Sequence, residues 1–409
     1  MGLVKTAWIE SQERGWDAPE KYVCDRCFSD DFLKETVRSN AKAQRCDYCG
    51  RRGRRSVAAP LAAVIEPIAA TLDAYFAEPG AAGLPRDTGE WIDEDSITDT
   101  FNALLSLPLE CDGPLFDDIA ESFHNTAWYP CAGGHWLGEH LHVELHYAWE
   151  RFVLEVRERS RYFFIQEAQE EADDVMGRAS RTPLALLVEI GSLCVDLGLL
   201  KTIRAGHRLN RVRLVDKGEV LDSFEKVGPP PKGVVTAGRM NPVGIPYFYV
   251  ADDEATAVAE VVARPPCVAA VAEFKTKADL TILDLTALPS APSIFDESRR
   301  HQREGVLFLG RFVEAICSPI DKNGREHLDY VPSQIVSEYF SQVFRVDGRA
   351  IAGIAYPSAV KRSGRNLVLF PQRGWDADWQ ELVELVRIDH QSIEDWSELA
   401  RAIGEGGRG

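Results

Sequence analysis

Apolar residues from Ala58 to about Leu200 recur at helical spacing, which predicts helices over Leu61 to Phe76, Phe116 to His124, Leu137 to Met176 and Leu184 to Ile203. Pro85 to Asp95 and Pro130 to Gly134 interrupt that pattern, because proline and glycine favour turns over helix. Beyond about Leu209 the period shortens. Ile245 to Val250, Val268 to Phe274 and Leu280 to Leu285 are short β-branched or aromatic runs that predict strands. Asp252-Asp253-Glu254 supplies a cap and acidic first turn for an Ala-rich helix from Glu254 to Ala263, and Ser333 to Val346 has an amphipathic helical pattern. The tail from Trp375 to Gly409 adds strand and helix before a Gly-rich end. The expected class is α+β: a small N-terminal segment (1–55), an all-α bundle (56–204) and a mixed α/β domain (205–409).

Composition changes this picture little. At 409 residues and 45% hydrophobic content the chain can bury two or three cores. Nowhere is there an apolar run of the ~18 residues needed to span a bilayer, and Met1 to Asp17 lacks the apolar core of a secretory signal, so a cytoplasmic protein with no membrane partner is expected. Charge is more informative. Basic and acidic residues number 12 and 9 in residues 1–55, 7 and 26 in 56–200, and 27 and 29 in 201–409, so nearly all of the net −18 lies in the middle. That segment repels phosphate backbones and is a poor candidate for binding nucleic acid.

Cys24-Asp25-Arg26-Cys27 and Cys46-Asp47-Tyr48-Cys49 are CxxC knuckles 18 residues apart, a spacing at which four thiolates close around one structural Zn2+. So short a segment builds little core, and the metal is expected to supply its folding energy. The other five cysteines are scattered, which suits a reducing compartment. Arg45 to Ser56 is strongly basic and reads as a solvated linker, with contact to DNA or RNA phosphates as the alternative. Five histidines, His124, His135, His140, His142 and His146, fall within 23 residues. Without an HExxH order, and with Trp128, Trp136, Tyr147 and Trp149 beside them, they read as packing residues before metal ligands.

The chemistry concentrates between Thr236 and Val262. Gly238, Asn241, Pro242, Gly244 and Pro246 require a loop that carries Arg239; Tyr249 lies near the end of the next strand and Glu260 on the helix after it. Singly these read as a surface arginine, a core tyrosine and a solvated glutamate. Together, GRMNPVGIPYFYVADDEATAVAEV resembles the core of the RES domain, a family named for characteristic Arg, Glu and Ser residues. Arg211-Val212-Arg213 resembles its opening strand, Tyr330 to Gln334 the start of its second helix, and Gly353 to Phe370 its last two strands, which places the serine at Ser358. Ala359 stands where many members have a second serine.

The resemblance implies an ADP-ribosyltransferase-like fold with NAD+ as substrate, found chiefly as the toxin half of bacterial toxin–antitoxin pairs. Breaking the nicotinamide–ribose bond develops positive charge on the ribose, so Glu260 is expected to stabilise it or activate an acceptor. Arg239, with Arg211 or Arg213 as second candidate, is expected on the pyrophosphate, Tyr249 against the nicotinamide and ribose, and Ser358 as an orienting hydroxyl. The helical segment before it resembles the HEPN domains that accompany RES domains. The expected partners are NAD+, an antitoxin or trigger protein and a second copy of the chain in a homo-oligomer, with nucleic acid only at the basic segment. The other reading is a binding module in which the zinc ribbon recognises nucleic acid or protein and the RES fold only holds a ligand.

Overall fold

The structure is a computed structural model that describes residues 13–162, 182–231, 233–318, 326–371 and 378–403. The chain divides into two units, residues 1–144 with 290–305, and residues 145–289 with 306–409.

In the first unit, strand β1 (Tyr22–Cys24) pairs antiparallel with β2 (Ala58–Pro60), Cys24 opposite Ala58. Helix α1 (Asp31–Ser39) starts where the Asp30 side chain accepts from the Leu33 amide at 3.0 Å, satisfying one of the free N–H groups of the first turn. Helices α2 (Ala62–Tyr75) and α3 (Gly113–Glu121) lie within the predicted spans or shifted from them by a few residues. Val23, Cys24, Leu33, Ile65, Leu72 and Leu115 are fully buried in one core, so the knuckles pack with the helices instead of standing apart. Ile294 and Phe295, from the returning segment 290–305, complete it. The basic run is not a linker. Cys46 N–H donates to Arg51 at 2.9 Å, Gly53 N–H to Gln44 at 2.9 Å and Val57 N–H to Ala43 at 2.7 Å, which folds residues 43–57 into an ordered hairpin.

Helix α4 (Leu141–Leu154) starts four residues later than predicted, continues as a π-helical turn and ends at Arg159, where Ser160 turns extended (φ −141°, ψ 123°); residues 163–176 of the predicted helix lie outside the described residues, as do Trp375 and the Gly-rich end. Helix α5 (Pro183–Asp196) ends earlier than predicted. Gly198 takes a φ of +64°, the left-handed stop that glycine adopts without strain, and Leu200–Ile203 becomes strand β3 instead of a last helical turn.

The second unit is built on an eight-stranded sheet. Its strands are β3, β4 (Arg208–Leu214), β5 (Phe248–Ala251), β6 (Cys267–Thr276), β7 (Leu280–Asp284), β8 (Gly353–Pro357), β9 (Arg365–Leu369) and β10 (Val383–Ile393). Their spatial order is β10-β6-β4-β5-β9-β8-β7-β3, antiparallel throughout except for β7 with β8. Both faces are apolar. Leu209, Phe248, Phe274, Ile282 and Leu367 fill one side. Val212, Ala251, Val271 and Val258 fill the other, where helix α6 (Glu254–Val261) lies, its first turn capped by Asp253 onto the Thr256 amide at 2.8 Å. Helix α7 is Arg300–Cys317, and α8 (Val331–Glu338) passes into a π-helical turn ending at Val343, short of the predicted Val346.

Candidate functional site

Strands β4 and β5 pair at a single position, Asn210 opposite Ala251, whereas β4 and β6 pair along seven residues. The two strands therefore splay, and the gap opens a cavity of about 200 Å³ lined by residues of both sheet faces, among them Arg211, Tyr249, Glu260, Tyr356 and Asn366. Splaying leaves the Tyr249 carbonyl without a ladder partner. Arg211 Nη1 donates to it at 2.8 Å. The half-buried Arg211 guanidinium has no carboxylate partner among the described residues, and its buried Nε is unbonded. Burial, reinforced by the Arg213 charge, brings its pKa down to about 10, so it remains cationic at neutral pH. A desolvated, unpaired guanidinium on a cavity wall is a site for an anion.

Glu260 enters from the last turn of α6. Its Oε1 accepts from Ser358 Oγ at 2.6 Å and from Asn366 Nδ2 at 2.6 Å, while Oε2 keeps no protein partner among the described residues. Both donors come from the facing hairpin. Tyr356 and Asn366 are opposite one another in the β8–β9 register, and Ser358 lies two residues beyond Tyr356, on the same face. Ser358 Oγ is itself held by the amides of Val360 and Lys361 at 3.3 and 3.0 Å. Gly364 is needed beneath it, because a Cβ there would meet Ser358 Cβ at 2.9 Å. Tyr356 is 8% exposed and lines the cavity, and its hydroxyl has no hydrogen-bond partner among the described residues. Burial, with Tyr249 and Glu260 nearby, holds its phenol far above the usual range, so it stays a donor.

Tyr249 is committed elsewhere. Its hydroxyl donates to Asn241 Oδ1 at 2.8 Å and accepts from Met240 N–H at 3.0 Å, and this pins the loop that carries Arg239. Gln334 Nε2 donates to the Gly238 and Asn241 carbonyls at 2.8 and 3.0 Å, and Ser333 Oγ to the Arg239 carbonyl at 2.6 Å. Loop and strand approach so closely that a Cβ on Gly238 would stand 2.4 Å from Asn241 Oδ1 and 2.9 Å from the Tyr249 hydroxyl. A second cavity, of about 240 Å³, lies along this loop and shares Arg211 and Tyr249 with the first.

The structure thus brings Arg211, Tyr249, Glu260 and Ser358 together. Arg239 lines neither cavity: its Nη1 donates to the Ile316 carbonyl on α7 at 2.8 Å, over the Tyr330 ring. Arg213 likewise turns away, to the Lys226 carbonyl and to Glu219 at 3.7 Å. Tyr356 and Asn366 escaped the sequence reading. Period-two spacing from Ser358 would have found Tyr356; Asn366 depends on the cross-strand register, which no local pattern reveals.

In the first unit, the sulfurs of Cys24, Cys27, Cys46 and Cys49 all lie within 4.8 Å of one another, with separations of 3.8 Å (Cys24–Cys27), 3.4 Å (Cys24–Cys49) and 3.7 Å (Cys27–Cys46). A tetrahedron with zinc–sulfur bonds of about 2.3 Å has edges of about 3.8 Å, so the donor set fits such an ion. Burial and neighbouring sulfurs push the Cys24 and Cys27 thiols up, which disfavours their thiolates unless a cation is present. Among the described residues this is the only metal-competent group. Of the five histidines His140 and His142 pack, whereas His124 and His135 are exposed. His140 stacks on Tyr75 at 4.1 Å, and His142 Nδ1 lies 2.5 Å from the buried Glu304 carboxylate.

Comparison with known proteins bears on both units. Residues 208–391 match the family model described as RES domain, and residues 39–170 match that described as HEPN/RES N-terminal domain 1. No curated protein matched. Among solved structures, the chain is similar to one in the M. tuberculosis MbcT–MbcA toxin–antitoxin complex, with 16% identity over 50% of this chain and 92% of that one and a TM-score of 0.27. No helix among the described residues is long and apolar enough to cross a membrane.

Proposed function

We propose that this chain, which carries a RES domain over residues 208–391 and HEPN/RES N-terminal domain 1 over residues 39–170, consumes NAD+ by cleaving the bond between nicotinamide and ribose. One observation carries this: Glu260, with one carboxylate oxygen pinned by Ser358 and Asn366, borders the same cavity as an unpaired guanidinium, Arg211. As the C1′–N bond breaks, its electron pair leaves with the nicotinamide and positive charge grows on the ribose. The free Oε2 of Glu260 stabilises that charge and then takes the proton of the acceptor as the acceptor bonds to C1′. Water, phosphate or a protein side chain can serve as acceptor.

Arg211 pairs with the pyrophosphate, and the two cavities that meet at Arg211 and Tyr249 receive the two halves of the dinucleotide. Tyr249 offers its ring face to the nicotinamide; the hydroxyl for the ribose comes from Tyr356, because that of Tyr249 is bonded to the loop. Arg239 stands outside both cavities and acts through the loop, which it fixes against α7. Cys24, Cys27, Cys46 and Cys49 hold a structural zinc whose four thiolates leave no open position for substrate. Loss of NAD+ poisons a cell, so the role is that of a cytoplasmic toxin or defence effector restrained by an antitoxin or by its own N-terminal half.

The test is incubation of the purified full chain with NAD+, beside Glu260→Gln, with chromatography of the products. Free nicotinamide from the wild type and none from the variant supports the proposal. NAD+ left intact by the wild type, both as the full chain and as residues 145–409, which keep the whole sheet, overturns it.

A further inference from the structure

The hairpin after the second knuckle carries charge that the fold does not use. Between Lys42 and Arg55 stand five arginines and one lysine against a single aspartate, Asp47, whose Oδ2 accepts from the Tyr22 amide at 2.7 Å. Of the six cations, Arg51 alone has a carboxylate among the described residues, Asp25, which also takes Arg38 at 3.0 Å. Lys42, Arg45, Arg52, Arg54 and Arg55 are exposed and have no ion-pair partner among the described residues. Their arrangement sets like charges against one another. Arg45 and Arg52 face one another across an antiparallel bridge, held there by the Cys46 to Arg51 and Gly53 to Gln44 hydrogen bonds, both 2.9 Å. Like charges directly opposite on one sheet face destabilise a hairpin, and no carboxylate among the described residues pairs with either. Gly53 fixes this geometry, because a Cβ there would stand 2.4 Å from Val57 Cγ1.

We infer that this hairpin is a docking surface for the phosphodiester backbone of a nucleic acid. A row of phosphates supplies the missing counter-charge to both arms at once, and planar guanidinium groups bind phosphate through paired N–H donors. The composition distinguishes a nucleic acid from an anionic membrane. Peripheral membrane binding combines basic residues with apolar anchors. Residues 42–55 expose no large apolar side chain, since Tyr48 is half-buried with its hydroxyl on Asp118 at 2.6 Å. The acidic excess in residues 56–200 confines the contact to this hairpin. Phosphate contacts carry no sequence information, so binding through this hairpin is sequence-independent. This inference is independent of the NAD+ proposal.

The experiment is fluorescence anisotropy of the full zinc-loaded chain with labelled RNA and DNA, single-stranded and duplex, of arbitrary sequence. Salt is varied between about 50 and 200 mM, and phosphatidylserine vesicles are tested in parallel. Four or so phosphate contacts give a log–log salt slope of about −3 to −4 on duplex DNA. Arg45→Gln with Arg52→Gln should weaken binding at least tenfold and reduce the slope by about two, whereas Arg45→Lys with Arg52→Lys should retain the slope. Unchanged metal content and an unchanged melting temperature certify that the variants fold. Absence of nucleic-acid binding by the wild type, an unaltered slope in the glutamine pair, or binding to vesicles and to no nucleic acid would overturn the inference.

Discussion

The side-chain amide of Asn366 stands 2.6 Å from Oε1 of Glu260, across 106 residues of chain, and shares that oxygen with Ser358. Two donors on one oxygen hold the carboxylate plane and leave the other oxygen to the cavity. Asn366→Leu should lower the rate of NAD+ consumption at saturating substrate about tenfold or more with little change in KM, since a hydrogen bond to a charged group contributes about 1.5–3 kcal/mol. Asn366→Asp puts a second carboxylate against Glu260. It replaces a donor with a second acceptor, so turnover should fall at least as far as in Asn366→Leu.

Ser358→Ala removes the other donor. Turnover should fall roughly ten- to a hundredfold by the same magnitude, with the unfolding midpoint little affected because Ser358 is only partly buried. Retention of full activity in steady-state assays would show that Asn366 alone orients Glu260.

Tyr249→Phe abolishes the hydrogen bonds to Asn241 and Met240, at 2.8 and 3.0 Å, and leaves the buried Asn241 oxygen without its donor. Denaturant titration should show a loss of about 1–3 kcal/mol. Gly238→Ala should damage the same loop more severely, since its Cβ would collide with both partners.

Zinc removal tests the knuckles. Cys24, Cys27 and Cys46 belong to the same core as α2 and α3, so a chelator or Cys27→Ser should lower the melting temperature of the first unit as a whole, not of the ribbon alone. Elemental analysis should find one zinc per chain, lost in the variant.

Acid should destabilise the first unit in two steps. Burial lowers the pKa of His140, so its contribution is present above the unfolded value of about 6.5 and declines as pH falls below it. Glu304 is buried, which opposes its ionisation, but its bonds to His142 outweigh that and lower its pKa; its contribution is present above an unfolded value of about 4.3 and declines as pH falls through the folded one. His140→Phe should flatten the first step in thermal melts recorded between about pH 7 and 5.

The sequence by itself determined the elements and their chemistry. Glycine and proline spacing set the loop around Arg239, an aspartate cap and alanine run set the helix of Glu260, and paired CxxC knuckles set the cysteine cluster, because each depends on residues close in the chain. Tertiary structure decided the rest. Leu200–Ile203 became strand because β7 offers it a partner, a long-range pairing that overrides helical propensity. The basic run became a hairpin because Ala43 pairs with Ala58. Most of all, the site depends on β4 and β5 parting after one pairing, which opens the cavity, turns Arg211 inward and leaves Arg239 against α7. Register and splay follow from the packing of two apolar faces around the whole sheet, and no local stretch of sequence encodes that.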